Sequence, residues 1–336
     1  MAIEQSEYNT LSYLDRLYYQ TKPSLPFEAR TVEDWRKWRR ALRTRLKALL
    51  GGFPERGPLN TRTVEKIDCG DYWREKVIFD AEPGTSIPAY FLLPKDANGP
   101  IPGVLALHGH GNGKDDVMGL DHGSEERRKW IADVNYAYAV EMVREGYAVL
   151  APDLRCFGER SNAGDCLKAC INAMMLGKNV IALRVSDTMQ CVDYMRGRPE
   201  VIGNRIACLG ISGGGLATLY SAIFEPRIKV AVISGYFCRF KESVFDQAHC
   251  MCNYIPGILQ YAELPDLTAL IAPMPLLIQN GEQDPIFPIE AVRREFPKVQ
   301  AAYEAAGAAD KVAIDIIPCG HAWRGEKPKE WLKKWL

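Results

Sequence analysis

Ser212 sits in Gly210-Ile211-Ser212-Gly213-Gly214, between an apolar run, Arg205 to Leu209, and a helical stretch, Leu216 to Ile223. A serine held in a tight strand-to-helix turn is presented above a sheet as a nucleophile, and Cβ atoms two residues to either side would strike neighbouring backbone. The hydroxyl needs a base to take its proton and a carboxylate to orient that base, and behind such a turn the acid precedes the histidine in the chain. Only His249 and His321 follow Ser212. His321, in Pro318-Cys319-Gly320-His321-Ala322-Trp323, comes directly after the last apolar run, whereas His249 lies in an irregular segment, so His321 is the expected base. Of the aspartates between serine and histidine, Asp284 alone follows a strand-like run; Glu282, just before it, is the nearest rival. The chemistry of such a trio is acyl transfer through a covalent serine intermediate.

That intermediate passes through an oxyanion, which two N–H donors must hold. One is expected from Gly213, the residue after the nucleophile. The other is expected from Leu107-His108-Gly109-His110-Gly111-Asn112-Gly113, whose glycines let backbone approach a ligand; His110 is the expected donor, with Gly111 as the alternative. The same loop fails as a phosphate cradle, because His108 and Asp115 stand where Gly and Ser or Thr are required. Two thiol groups, Cys166/Cys170 and His249-Cys250-Met251-Cys252, lack the paired spacing of structural zinc sites. They are read as small buried apolar residues, and no metal and no cofactor is expected.

Parts of the chain must carry these residues to one place. Thr63 to Ile67, Trp73 to Phe79 and Ile87 to Leu93 alternate and are separated by turn residues, which predicts antiparallel strands at a sheet edge. From Gly103 onward, short apolar runs (103–107, 148–151, 205–209, 230–233, 275–278 and 312–317) alternate with helical stretches, which predicts a parallel sheet covered on both faces. In such sheets ligands bind at the carboxyl ends of the strands, where Ser212, Asp284 and His321 all fall. Residues 1–60 read as a helical extension and 61–336 as the catalytic unit. Within the extension, Thr31 caps a helix whose Trp35, Trp38, Leu42, Leu46 and Leu49 recur on one face. Its basic side chains, Arg36, Lys37, Arg39, Arg40, Arg43, Arg45 and Lys47, are read as a solvated face. The stretch 236–264 is too long for a simple connection and is expected to be a lid-like insertion. Its Phe237, Met251 and Tyr254, together with Trp323, are the expected walls of an apolar substrate pocket.

Composition narrows the partners. With 42 basic and 42 acidic residues in 336, the chain has no global attraction for nucleic acid or anionic membranes, so a small molecule is the expected partner. The acidic start at Met1 to Glu7 is unlike an export leader, and the longest apolar runs fall short of the roughly 20 residues that span a bilayer. Ten scattered cysteines read as reduced thiols, and a cytoplasmic protein is expected. A homo-oligomer is left open.

Together, His108-Gly109-His110-Gly111, Asp153-Leu154-Arg155-Cys156-Phe157-Gly158-Glu159-Arg160, Arg198-Pro199-Glu200-Val201, Ser212, Asp284 and His321 resemble the α/β-hydrolase superfamily, in its dienelactone-hydrolase and acetyl-xylan-esterase-like branch. The likeness covers about residues 60 to 336. It implies a mostly parallel sheet of about eight strands with helices on both faces, and cofactor-free hydrolysis of small-acyl carboxylic esters, acetyl-like, with a sugar as one source of the alcohol part. The chain departs from dienelactone hydrolases in having Ser212 for their cysteine, and Cys156 stands where such Asp-x-Arg segments commonly have glycine. A peptidase of the prolyl-oligopeptidase type and a non-catalytic binder on a hydrolase scaffold are the alternatives. The first needs a β-propeller that a 60-residue helical extension is too short to build.

Overall fold

Every run that the sequence marks as extended becomes a strand of one nine-stranded sheet. The computed structural model describes residues 8–161 and 166–336, so the reading of Met1 to Glu7 lies outside the described residues. In chain order the elements are α1 (Thr10–Gln20), α2 (Val32–Leu49), β1 (Arg62–Asp68), β2 (Tyr72–Glu82), β3 (Thr85–Pro94), β4 (Ile101–Leu107), α3 (Lys114–Val117), α4 (Glu125–Asp133), α5 (Tyr138–Arg144) and β5 (Ala148–Pro152). They continue with α6 (Cys166–Met175), α7 (Val180–Gly197), β6 (Val201–Ile211), α8 (Gly213–Phe224), β7 (Ile228–Ser234), α9 (Leu264–Ala269), β8 (Leu276–Gly281), α10 (Ile289–Ala305), β9 (Val312–Ile317) and α11 (Glu326–Trp335).

The strand order is β1-β2-β3-β5-β4-β6-β7-β8-β9. β1 to β3 and the β3–β5 pair are antiparallel, and the remaining pairs are parallel. The strand beyond the eight implied by the resemblance is β1, almost wholly exposed and zipped onto β2 through Cys69-Gly70-Asp71. The central strands are buried on both faces because successive side chains point to opposite sides. Val104, Ala106, Val149, Ala151, Ala207, Leu209, Val230 and Val232 pack with α5 and α11 on one face. Their alternates face the other way: Ala231 and Ile233 pack against α8 and α10, and Leu105, Leu107, Leu150, Ile206 and Cys208 against α7.

Helix α2 begins where Thr31 Oγ1 accepts the Asp34 N–H at 3.2 Å, and it inserts Trp35, Leu42 and Leu46 into the same core as Leu216 and Ile233. Burying each such leucine stabilises the fold by about 2 kcal/mol. The opposite face is not simply solvated, as its charges suggest. Arg39 Nε donates to the Leu270 carbonyl at 2.9 Å, Arg43 Nε to the Ile223 carbonyl at 3.1 Å, and the Arg45 guanidinium lies 4.6 Å from the Tyr261 ring centre. Arginine can cap carbonyls at the ends of neighbouring helices while its stem covers apolar surface, a role that charge patterning alone does not reveal.

Between β7 and α9 the chain makes short helical turns at Lys241–Phe245, Met251–Asn253 and Ile258–Gln260. Phe240, Val244, Ile255 and Ile258 of this segment are buried in the main core. Among the described residues no single helix is long and apolar enough to cross a membrane.

Candidate active site

Ser212 closes β6 and opens α8 with φ 58° and ψ −121°, a conformation that L-residues rarely adopt and that surrounding structure must enforce. The enforcement is visible in the flanking glycines. A Cβ on Gly210 would lie 2.4 Å from the Leu107 carbonyl oxygen, and one on Gly214 would lie 1.9 Å from the same atom. The end of β4 therefore passes too close to the turn for any side chain at either position. The Ser212 N–H donates to the Ser234 carbonyl at 2.9 Å, which ties the turn to the end of β7.

Asp284 and His321 come from the loops after β8 and β9. His321 Nδ1 is 2.7 Å from Asp284 Oδ2. The other carboxylate oxygen accepts the N–H groups of Ile286 and Phe287 at 2.8 and 3.2 Å, so the buried acid is held at both oxygens. His321 Nε2 is buried and has no partner among the described residues. Its ring borders Gly235, directly after Ser234, and stacks on Phe287. Thus the Ser212 turn lies at the carboxyl end of β6 and the paired Asp284 and His321 follow β8 and β9, with Ser234 and Gly235 linking turn and ring; among the described residues the Ser212 hydroxyl makes no hydrogen bond to His321 Nε2. Glu282 is elsewhere, half exposed and paired with Arg293 at 3.3 Å, and His249 meets the Ser243 hydroxyl at 3.1 Å.

The loop after β4 is fixed by three side chains for which the sequence suggested no role in this place. Tyr136 Oη accepts the Gly109 N–H at 2.7 Å, and Tyr138 Oη donates to the Leu107 carbonyl at 2.6 Å. His108 is fully buried; its Nε2 accepts the Leu154 N–H at 2.9 Å while Nδ1 lies 2.6 Å from the Gly109 carbonyl oxygen. These bonds leave the His110 N–H without a partner among the described residues. Gly213 N–H, at the first turn of α8, has no partner within its helix and none from the Ser212 side chain.

His108 also makes a prediction about stability. Burial pushes its ring from 6.5 down to about 4. The unfolded chain takes up a proton below about 6.5 that the folded chain refuses, so stability is complete above that pH and is lost as pH falls toward about 4. A glutamine amide can both accept from Leu154 and donate to Gly109. In urea unfolding, His108→Gln should shrink the stability lost between about pH 7.5 and about pH 5 by about 2 kcal/mol. An unchanged pH dependence would refute this.

A cavity of about 250 Å³ opens beside Ser212, walled by His110, Gly213, Tyr236, Gln247, His249, Cys250, Asn253, Ile286 and Phe287. The four side chains expected to line it lie elsewhere. Phe237 is buried in the core one residue beyond Tyr236, which does line it. Trp323 is buried against Tyr138, Met251 packs beside Cys166 and Cys170, and Tyr254 lines a separate groove with Leu14 and Tyr18 of α1.

The two thiol groups dismissed on spacing meet in space. Cys252 Sγ is 3.3 Å from His110 Nε2, and the ligating atoms of His110, Cys250 and Cys252 all lie within 4.8 Å of one another. Cys166 Sγ lies 3.9 Å from Cys170 Sγ and packs in one cluster with Cys252, against which Cys156 and Cys250 also pack. Cys156, in the position where glycine was expected, adopts φ 75°, the left-handed conformation that glycine takes without cost. Burial disfavours the charged form of the His110 ring, but bonds from Cys250 and Cys252 more than offset this and raise it to about 9.

A mostly parallel sheet with helices on both faces, and a strained serine at the carboxyl end of its central strand, define an α/β hydrolase. Comparison with known proteins agrees: the chain belongs to the Abhydrolase family, whose model matches residues 5–320. It is 30% identical over 306 residues to the provisionally named hydrolase YtaP of Bacillus subtilis (strain 168), covering 88% of this chain and 98% of that one. Among solved structures it is similar to a Bacteroides fragilis NCTC 9343 protein provisionally named an acetyl xylan esterase, with a TM-score of 0.83 and 20% identity over 97% of this chain and 94% of that one. It is also similar to a glucuronoyl esterase from Solibacter usitatus, with a TM-score of 0.70 and 15% identity over 94% and 98% of the two chains.

Proposed function

We propose that the protein is a serine carboxylic-ester hydrolase for small-acyl esters, with Ser212 as nucleophile, His321 as general base and Asp284 as its orienting acid. The observation that carries this reading is the 2.7 Å bond between His321 Nδ1 and a doubly anchored Asp284, in a ring that borders Gly235, the residue after the Ser234 whose carbonyl holds the Ser212 N–H. His321 takes the serine proton as the hydroxyl attacks the ester carbonyl. The developing oxyanion is held by the N–H groups of Gly213 and His110, both without partners among the described residues, with Gly111 as the alternative to His110. The protonated His321 gives its proton to the departing alcohol, leaving an acyl-Ser212 ester. The same ring then activates water to release the acid.

Two features support a short acyl group. The cavity of about 250 Å³ lies below the 300–1,000 Å³ typical of sites for drug-sized ligands, and Tyr236 and Phe287 of its wall are fixed in the core. The printed names of the two structural neighbours, an acetyl xylan esterase and a glucuronoyl esterase, support a sugar as the alcohol part. Ten free thiols support a reducing, cytoplasmic compartment. Residues 61–336 are the catalytic unit in this reading, and 1–60 an extension whose helix α2 packs upon it.

An acyl-chain series tests the reading. With p-nitrophenyl acetate, butyrate and octanoate, kcat/KM should fall by about 10-fold or more from acetate to octanoate, because methylenes that the pocket does not admit must be left outside it. Octanoate turned over as fast as acetate would overturn the small-acyl assignment.

A further inference from the structure

We propose that His110 Nε2 and the thiolates of Cys166, Cys250 and Cys252 form a tetrahedral site for one soft divalent cation, Zn²⁺ by donor set. The site would join the loop after β4 to the start of α6 and to the Met251–Asn253 turn. Zinc takes three sulfurs and one imidazole nitrogen at about 2.3 and 2.0 Å, which places neighbouring ligand atoms about 3.5–3.8 Å apart. The Cys252 sulfur already lies 3.3 Å from His110 Nε2, Cys250 completes a compact trio with them, and Cys166 packs in one cluster with those two cysteines. Closure of Cys166 onto this trio would enclose an ion.

A second observation comes from Arg184. This guanidinium is 1% exposed, and among the described residues no carboxylate lies within ion-pair distance of it. It donates to Cys166 Sγ at 3.5 Å and to the Arg155 carbonyl at 3.0 Å, and its Nε has no partner. A buried cation needs a compensating charge. Three thiolates and a neutral imidazole around a divalent ion carry a net charge of minus one, which Arg184 would balance. On uptake each thiol, and the His110 ring where it is protonated, releases its proton to solvent, so affinity should rise with pH.

The consequence for catalysis rests on the reading of His110 N–H as an oxyanion donor: an ion on the ring would fix the backbone that carries that N–H. Ion uptake itself does not depend on that reading. The test is therefore binding, made on the reduced, metal-stripped full chain with Co²⁺ as probe. One equivalent should be taken up with thiolate charge-transfer bands and the intense ligand-field bands of tetrahedral cobalt, and Zn²⁺ should displace it. Ser212→Ala and Cys69→Ser, the latter remote from the cluster, should bind like the parent. Cys250→Ser and Cys252→Ser should lose far more than the 10–100-fold that outer-shell partners contribute, with circular dichroism verifying their fold. Saturating Zn²⁺ should raise the melting temperature of the parent but not of Cys252→Ser. Absence of cobalt–thiolate bands in the reduced parent, or undiminished uptake in the folded Cys250→Ser/Cys252→Ser double variant, overturns the proposal. A disulfide among these cysteines that persists under reducing conditions and blocks uptake does so as well, in favour of a redox role.

Discussion

Ser212→Ala should lose on the order of 10⁴-fold or more in kcat on p-nitrophenyl acetate while folding as the parent does. The substitution leaves the strained turn, the Ser234 bond and the flanking glycines in place, because all of these are backbone features. It removes only the oxygen that forms the acyl bond. What remains is binding and the two oxyanion donors, which is why the loss should be large but finite. A fluorophosphonate probe should label the parent at one serine and leave the variant unlabelled. A folded variant that keeps a tenth of the parental kcat would remove Ser212 from the reaction, and with it the ester-hydrolase reading.

The candidate trio was legible because each member depends on a local rule. Ser212 lies where a buried strand meets glycines, Asp284 falls just beyond the fully buried β8, and His321 just beyond the half-buried edge strand β9. The sheet itself was legible for the same reason, since runs such as 103–107 and 206–209 have no other way to bury every side chain. Features that depend on several segments meeting were not legible. Tyr236 and Phe237 are chemically alike and adjacent, yet one lines the cavity and the other fills the core, and this depends on how the chain leaves β7. The Arg39 and Arg43 bonds to carbonyls of Leu270 and Ile223 require helix ends more than a hundred residues away. The thiol cluster is the extreme case: Cys166 and Cys252 come from parts of the chain with no shared spacing motif, and only the fold packs them together and sets Cys252 against His110.

Asp284→Asn isolates the role of charge and tautomer from that of shape. The asparagine oxygen can keep the Ile286 and Phe287 N–H bonds, so the loop has no reason to move. Its amide nitrogen then faces His321 Nδ1 and donates to it, which drives the ring proton to Nε2, the atom that must accept from Ser212. The imidazolium formed during attack also loses its counter-charge. The expected result is a fall of about 10⁴-fold in kcat with little change in KM, the pattern of an interaction made in the transition state. Glu282→Gln is the matching control. That side chain is half exposed and paired with Arg293, so both constants should stay at their parental values. If Asp284→Asn loses less than about tenfold, or if Glu282→Gln loses as much, the acid has been misassigned; the 2.7 Å contact with His321 would then be a structural ion pair and not part of the proton relay.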